Sequence, residues 1–430
     1  MKDALTTLTR DKDVLLLGYG REGRSTFRLL SGLGVCKRLD VADINPLPLL
    51  PSGSAAVSGE GYMDNLGDYD IVFLSPGVAL PQPPEKYGCR FCSQTEVFLG
   101  VYGERTAGVT GTKGKSTVSS MLRHALRAAG RDCLLAGNIG VPLLDAAETA
   151  AENTVFVAEL SCHQLEYCPH SPRIAALLNL YEDHLDRYVT MERYAAAKAN
   201  IYLRQTPDGI LFCASELADT LKEHAGRVVF ADKCLLPPGS ADLLQSRRLL
   251  GEHNLRNCAF AHAMSLEMGV SQERFLASLE SFSPLPHRLE YFTTKDGVDY
   301  YNDSVSTTAE SAIYAVRSVP GADILLLGGL DRGIDYSPLL AFLPQSGLSH
   351  VILMYQSGRR IYRELSCANI GSLQAHYAAD LAAAVTCAAT LAKPGTACVL
   401  SPAAASYDAF TDFAERGETF KRLVTNLTAT

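Results

Sequence analysis

Residues 106–117, TAGVTGTKGKST, combine side chains whose types and spacing suit the binding of phosphate. A short apolar strand leads into a turn with two glycines, and a helical pattern begins at Lys115. The glycines let the backbone pass close to a phosphate, so that successive N–H groups can point at it. The helix start adds positive potential, Lys115 supplies a charge, and the hydroxyl of Ser116 or Thr117 can ligate Mg²⁺. The sequence therefore predicts a nucleoside triphosphate site, although the strict P-loop pattern has glycine where Val109 stands.

Ionisable side chains follow two further apolar runs of this part of the chain. Glu159 ends the run VFVAE, and the string NLYEDHLD at 179–186 places three acids and His184 after another strand. Because parallel sheets bind ligands at the carboxyl ends of their strands, Glu159 is expected to hold Mg²⁺ opposite the phosphate loop. His184 is a candidate for a second metal or for a phosphate contact. Lys198 stands among alanines, and composition alone predicts an ordinary exposed lysine there.

A second glycine-rich turn lies near the N-terminus. The string GYGREG at 18–23 follows an apolar strand, and Asp43 stands twenty residues beyond its last glycine. This spacing matches the dinucleotide-binding fingerprint, and Ser75 at a later strand end would share the same edge of the sheet. From these residues alone, NAD, another nucleotide and no ligand remain open. An NAD-dependent oxidoreductase would leave the phosphate loop without a role.

The composition is that of a globular protein without a nucleic-acid or membrane partner. Of 430 residues, 47% are hydrophobic and 20% charged, and the net charge is −8. An acidic chain disfavours nucleic acid and anionic membranes, which attract basic stripes. The chain has no basic-plus-apolar leader and no apolar run of membrane-spanning length, so we expect a cytoplasmic protein. The 12 cysteines are scattered, and the pair Cys89 and Cys92 lacks the second pair that a zinc site would need.

Alternating apolar strands and helical patterns predict an α/β protein with three domains. We expect a Rossmann-like domain over residues 1–104 and a P-loop-type mononucleotide-binding α/β domain over 105–288. A further Rossmann-like α/β domain is expected over 289–430. The prolines of PLPHR at 284–288 suit a linker between the last two domains.

An ordered set of strings along the whole chain resembles the Mur ligase family of peptidoglycan synthesis. The strings are GVTGTKGKST (108–117), LAGNIG (135–140), ELSCHQLE (159–166), NLYEDHLDRY (179–188), GEHNLRN (251–257), PHRLE (286–290), YNDS (301–304) and LSPAAASYDAFTDFAERG (400–417). The resemblance implies an ATP-dependent ligase that adds D-glutamate to UDP-N-acetylmuramoyl-L-alanine through an acyl phosphate. It also implies that the N-terminal domain holds the uridine diphosphate group, the central domain ATP, and the C-terminal domain the incoming amino acid.

The resemblance further implies roles for individual residues, with Lys115, His184 and Lys198 as the catalytic set. Ser116 and Glu159 would hold one Mg²⁺, and His184 with a carbamylated Lys198 a second, because a carbamate supplies anionic oxygen. ATP would be bound by Gly111, Thr112, Lys113, Gly114, Lys115, Ser116, Thr117, Asn254, Asn257, Arg288 and Asp303. The uracil nucleotide (rather than NAD), the muramoyl chain and the amino acid would be bound by Gly20, Arg21, Asp43, Ser75, Asn138, Gln164, Thr307, Arg332, Ser406 and Phe413.

Two positions depart from the family pattern. Val305 stands where a lysine is common after Asp-Ser, and the loop GGLDRG offers Arg332 where a lysine usually binds the amino acid. An arginine can hold a carboxylate in bidentate fashion, so glutamate remains the expectation. L-glutamate or another amino acid is the alternative. A folylpolyglutamate synthase would lack residues 1–100, and a non-catalytic nucleotide-binding module would not need Glu159, His184 and Lys198. We expect a monomer.

Overall fold

The structure is a computed structural model that describes residues 1–51, 53–246, 249, 251–407 and 409–427, with only the backbone of Asp186. The chain divides into two compact units, Met1–Leu243 with Glu252–Phe282, and Leu244–Gly251 with Ser283–Thr430. The first unit contains two sheets and the second contains one. The predicted α/β class is thereby confirmed, whereas the domain limits at residues 104 and 288 remain predictions. Within the described ranges, no helix is both long enough and apolar enough to cross a bilayer.

The N-terminal sheet of the first unit has five parallel strands. Its strands are β1 (Asp13–Leu17), β2 (Arg38–Asp43), β3 (Ala56–Ser58), β4 (Ile71–Leu74) and β5 (Arg90–Cys92), and its helices are α1 (Lys2–Thr9), α2 (Arg21–Leu33) and α3 (Gln94–Tyr102). The strand order is β3-β2-β1-β4-β5. Because the order reverses between β1 and β4, their carboxyl ends form the crevice where such sheets bind ligands.

The central sheet has six parallel strands in the order β11-β10-β9-β6-β8-β7. These are β6 (Thr106–Thr110), β7 (Cys133–Gly137), β8 (Val155–Glu159), β9 (Ile174–Leu177), β10 (Ile210–Cys213) and β11 (Arg227–Phe230). The helices are α4 (Lys115–Ala128), α5 (Leu143–Thr149), α6 (Cys162–Leu165), α7 (Leu185–Tyr188), α8 (Met191–Ala199), α9 (Ser240–Ser246), α10 (Glu252–Glu267) and α11 (Gln272–Ser281). Strand β6 lies between β8 and β9, so the segments after these three strands meet at one edge.

The second unit holds a six-stranded sheet in the order β12-β13-β17-β14-β15-β16, in which β12 alone pairs antiparallel. Its strands are β12 (Glu290–Lys295), β13 (Val298–Asn302), β14 (Ala322–Leu327), β15 (His350–Met354), β16 (Gln374–Ala378) and β17 (Ala397–Leu400). The helices are α12 (Ala309–Ser318), α13 (Ser337–Phe342), α14 (Tyr355–Ser366), α15 (Leu381–Leu391) and α16 (Phe413–Thr425). Alternate residues of β14 enter separate apolar clusters on the two faces, which is why the run is continuously apolar.

Candidate active site

The phosphate loop joins β6 to α4 through two glycines with positive φ. Gly111 has φ +150° and Gly114 has φ +88°, a backbone conformation that favours glycine at both positions. A Cβ added at Gly114 would lie 2.4 Å from the Oδ1 atom of Asn257. The loop therefore passes against Asn257 of α10, one of the residues that the family resemblance assigns to ATP.

Asn179, to which the sequence analysis gave no role, fixes the shape of the phosphate loop. Its Oδ1 accepts hydrogen bonds from the backbone N–H groups of Thr112, at 3.0 Å, and Lys113, at 2.9 Å. Its Nδ2 donates to the carbonyl of Lys113 at 3.0 Å. The Thr112 side chain also bonds the Tyr194 hydroxyl of α8 at 3.1 Å. The only sequence signal was the position of Asn179 just after β9, at the same sheet edge.

Two lysines meet at one carbonyl oxygen of the loop. The Nζ atoms of Lys115 and Lys198 each donate to the carbonyl of Gly111 at 2.9 Å. The expectation of an exposed lysine is wrong, since Lys198 is 1% exposed. The small alanines before it leave room for this burial, and Thr190 caps α8. Burial and the nearby charge of Lys115 lower the pKa of Lys198 to about 7.

Glu159 offers an oxygen ligand at the end of β8. It is 1% exposed, so it is not a solvated acid at a strand end. Its Oε1 accepts from the Asn138 Nδ2 at 2.7 Å, whereas Oε2 has no hydrogen-bond partner among the described residues. A buried carboxylate oxygen without a partner is costly unless a cation approaches it. Carboxylate and hydroxyl oxygens are the ligands that Mg²⁺ takes, so Glu159 and the buried Ser116 fit this ion.

His184 is exposed, unlike the buried predicted ligands Glu159 and Ser116. It precedes α7 with φ +55°, and its side chain is 46% exposed. One of its ligand atoms lies within 4.8 Å of ligand atoms of Cys162 and His163. The ring of Tyr194 lies near both predicted ligands of the second ion, with its centroid 6.2 Å from that of the His184 ring and 4.7 Å from the Nζ of Lys198.

Short polar contacts join the segments that line the crevice of the N-terminal sheet. Ser75 donates its hydroxyl to the carbonyl of Gly18 at 2.7 Å, which joins the ends of β1 and β4. Asp43 accepts from the backbone N–H of Tyr19 at 2.6 Å. Gly20 is the exposed N-cap of α2. Gly20, Asp43 and Ser75 thus lie about one strand-end crevice, as their positions predicted.

Arg21 and Gln164 connect the two sheets of the first unit. The guanidinium of Arg21 donates to the carbonyls of Gly137, at 2.7 Å, and Gly140, at 3.0 Å. Gln164 closes a capping box on α6 and donates its Nε2 to the Oε1 of Glu22 at 2.6 Å. Burial raises the pKa of Glu22 to about 7. The sequence did not identify Glu22 as a site residue, because its only signal was its position next to Arg21.

The remaining predicted nucleotide residues are divided between the two units. In the first unit, Asn254 and Asn257 are buried on α10, and Asn257 donates to the Oδ1 of Asn254 at 3.3 Å. In the second unit, Asp303 is buried and accepts from the Ser401 hydroxyl, at 2.8 Å, and from the Leu289 N–H. Burial raises the pKa of Asp303 to about 6. Arg288 is exposed.

The residues predicted to bind the amino acid have mixed environments within the second unit. Thr307 and Arg332 are exposed, Ser406 is buried, and Phe413 begins α16 with 42% exposure. Sequence reasoning missed the fully buried Arg416, whose guanidinium donates to the carbonyls of Ser304 and Ala404. Asp408, within the last family-like string, lies outside the described residues.

Comparison with known proteins identifies the family. A model of the Mur ligase middle domain matches residues 109–235. A UDP-N-acetylmuramoylalanine–D-glutamate ligase of Symbiobacterium thermophilum is 32% identical over 443 residues, covering 95% of this chain and 97% of that protein. One of Pelotomaculum thermopropionicum is 34% identical, covering 98% and 99%.

Solved structures share the fold at lower sequence identity. A MurF ligase of Thermotoga maritima in complex with ADP matches with a TM-score of 0.60 and 16% identity, covering 99% of this chain and 98% of that one. The UDP-N-acetylmuramate–alanine ligase MurC of the same organism matches with a TM-score of 0.57 and 17% identity, covering 96% and 98%. With its phosphate loop, its buried lysine and relatives that match along nearly its whole length, the chain belongs to the Mur ligase family.

Proposed function

We propose that this chain uses ATP to join D-glutamate to the carboxyl group of UDP-N-acetylmuramoyl-L-alanine in peptidoglycan precursor synthesis. The observation that carries the proposal is the group of residues at one edge of the central sheet. There the phosphate loop, an unpartnered buried carboxylate oxygen on Glu159 and the buried Lys198 meet. Relatives named for this reaction match at least 95% of the chain at 32–34% identity.

The loop and its lysine serve transfer of the γ-phosphoryl group from ATP to the substrate carboxylate. Asn179 holds the loop in one shape, so that little reorganisation is needed when the nucleotide binds. Lys115 offsets the charge on the phosphates by exchanging its carbonyl partners for phosphate oxygens. The acyl phosphate formed in this way is attacked by the amine of glutamate, which gives the amide and releases phosphate.

Two Mg²⁺ ions are part of the proposal, and their chemistry is the neutralisation of charge on the phosphates. Glu159 and Ser116 would hold one ion, and His184 with a carbamylated Lys198 the other. Only a neutral amine adds to carbon dioxide, and burial beside Lys115 favours the neutral form of Lys198 by lowering its pKa. The first assignment is supported by the unpartnered Oε2 of Glu159.

The residues that bind ATP and the organic substrates are assigned from the resemblance to the Mur ligase family and from their places in the fold. Gly20, Asp43 and Ser75 suit the uridine diphosphate group because they lie about the crevice of the N-terminal sheet. Arg21 is assigned to the same uridine diphosphate group. Asn138 and Gln164, at the boundary between the two sheets of the first unit, are assigned to the muramoyl chain. Asn254, Asn257, Arg288 and Asp303 are assigned to the nucleotide, and Thr307, Arg332, Ser406 and Phe413 to the amino acid.

The amino acid is the least constrained part of the proposal. Arg332 is exposed and offers a guanidinium that can bind a carboxylate in bidentate fashion. Val305 supplies no charge where the family commonly has lysine. L-glutamate or another amino acid is therefore the alternative substrate, with the same chemistry. A cytoplasmic location and a monomeric state belong to the same proposal.

The test is release of phosphate from ATP with UDP-N-acetylmuramoyl-L-alanine, comparing D-glutamate, L-glutamate and other amino acids. We expect D-glutamate to give the highest kcat/KM. Lys115→Ala should abolish turnover, whereas Lys37→Ala, which changes an exposed lysine paired with Asp13, should not. Substantial phosphate release by a folded Lys115→Ala variant would refute the role of the loop. A preference for another amino acid would refute only the choice of D-glutamate.

A further inference from the structure

Two side chains beside the proposed catalytic centre have no part in the ligase chemistry described above. Cys162 and His163 are consecutive residues at the start of α6, in the string ELSCHQLE. Together with His184 they present three ligand atoms, one from each side chain, that all lie within 4.8 Å of one another. No other such group of three or more histidine, cysteine or acidic residues occurs in the part of the chain that the structure describes.

The backbone around this group fixes its members from two directions. The capping box between Ser161 and Gln164 fixes the first turn of α6, which fixes the backbone positions of Cys162 and His163. The Sγ of Cys162 lies 3.8 Å from the Nδ1 of His163. The His163 ring stacks on Tyr188, 5.5 Å between centroids, and its Nδ1 lies 2.9 Å from the Tyr188 hydroxyl. The stacking holds the imidazole plane, and an ion bound at Nδ1 would take the place of the Tyr188 hydroxyl at that atom.

The chemistry of these ligands differs from that of the proposed Mg²⁺ sites. Mg²⁺ takes oxygen ligands, whereas a thiolate with two imidazoles is typical of Zn²⁺. Tetrahedral Zn²⁺ with its usual bond lengths places neighbouring ligand atoms roughly 3.3–3.7 Å apart. The Cys162–His163 distance of 3.8 Å is already close to this value. The other separations lie within 4.8 Å, and the His184 side chain that contributes to them is exposed.

We propose that Cys162, His163 and His184 bind Zn²⁺, with a fourth position open to water. Cys162 is buried, whereas His184 is exposed, so the ion has a way in from the solvent side. Binding releases the thiol proton to the solvent as the sulfur–zinc bond forms, and no other reactant is needed. The ion would also remove His184 from the proposed second Mg²⁺ site, so Zn²⁺ would inhibit the ligase. That inhibition rests on the proposed function, whereas the binding site does not.

The test measures binding without ATP or substrates, on the full chain stripped of metal by a chelator. Co²⁺ replaces Zn²⁺ as a coloured probe, and we expect a thiolate-to-cobalt charge-transfer absorption that one equivalent of Zn²⁺ abolishes. Cys162→Ser should lose this absorption and weaken Zn²⁺ binding at least about tenfold in competition with a chromophoric chelator. Cys168→Ser, which changes another buried cysteine of the same region, should retain both.

Each outcome decides the proposal. Absence of the absorption in the native chain, or its persistence unchanged in Cys162→Ser, would overturn the site. If Cys162→Ser does not fold, as judged by circular dichroism, His163→Gln decides: retained Zn²⁺ affinity in that variant would equally overturn the site. Phosphate release with Mg²⁺ alone is measured separately. A chain that binds Zn²⁺ but lacks ligase activity would refute the proposed function and leave the zinc site standing.

Discussion

The contact between Glu22 and Gln164 makes the stability of the first unit depend on pH. Burial raises the pKa of Glu22 from 4.5 to about 7, against the opposing effects of Gln164 and Arg21. The folded chain therefore binds more protons than the unfolded chain between these values, and the free energy of unfolding falls as pH rises through them. At about 1.4 kcal/mol per pKa unit, the full penalty is roughly 3 kcal/mol above pH 7.

Glu22→Gln removes this penalty while keeping an oxygen that accepts from the Gln164 amide. We expect the variant to match the native chain near pH 5 and to be more stable at pH 8, by up to roughly 3 kcal/mol, or several degrees in Tm. Thermal unfolding followed by circular dichroism from pH 5 to 8 measures this difference. The matched control is Glu192→Gln, because hydrogen bonds lower the pKa of that carboxyl below its ordinary value of 4.5, so its effect on Tm should stay constant from pH 5 to 8. A Glu22→Gln effect of equal size at pH 5 and pH 8 would refute the assignment of buried charge.

Three further substitutions test the central site. Lys198→Ala should be inactive in phosphate release and partly rescued by short carboxylic acids, and a defect without rescue would argue against a carbamate. Glu159→Gln should raise the Mg²⁺ concentration needed for half-maximal phosphate release, and an unchanged Mg²⁺ titration would remove Glu159 from the ligands. Gly114→Ala, at φ +88° and with its Cβ 2.4 Å from Asn257, should lower Tm and weaken ATP binding, by on the order of 1–2 kcal/mol. Unaltered ATP affinity by calorimetry would show that the loop tolerates a side chain.

The sequence was sufficient for the parts of the site that come directly after strands. The continuous apolar runs of β6, β8 and β9 identify buried parallel strands, and the residues after parallel strands lie at one edge of the sheet. The phosphate loop after β6, Glu159 at the end of β8 and Asn179 after β9 lie there for that reason. Position after a strand therefore predicted which residues are neighbours, although it did not predict their hydrogen bonds.

Other features depend on packing that no local pattern specifies. Lys198 is buried because α8 packs with Tyr194 against the phosphate loop, and alanine composition alone suggests the opposite. The pairing of Glu22 with Gln164 joins residues 142 positions apart in the sequence. Such contacts form only once the two sheets of the first unit are placed, so propensities and spacing cannot reveal them.

The two lysines on the carbonyl of Gly111 explain why this edge suits an anion. Lys115 and Lys198 each donate to that one oxygen at 2.9 Å, and burial, together with their mutual repulsion, lowers the pKa of Lys198 and disfavours its charged form. Lys115 also donates to the carbonyl of Thr112, but carbonyl dipoles offset two neighbouring cations less well than phosphate oxygens do, because charge-assisted hydrogen bonds are the stronger ones. Conversion of Lys198 to a carbamate would relieve the same repulsion by reversing the sign of its charge. Triphosphate binding and the proposed carbamylation of Lys198 would each relieve this repulsion, so substitution of either lysine should change the electrostatics for both.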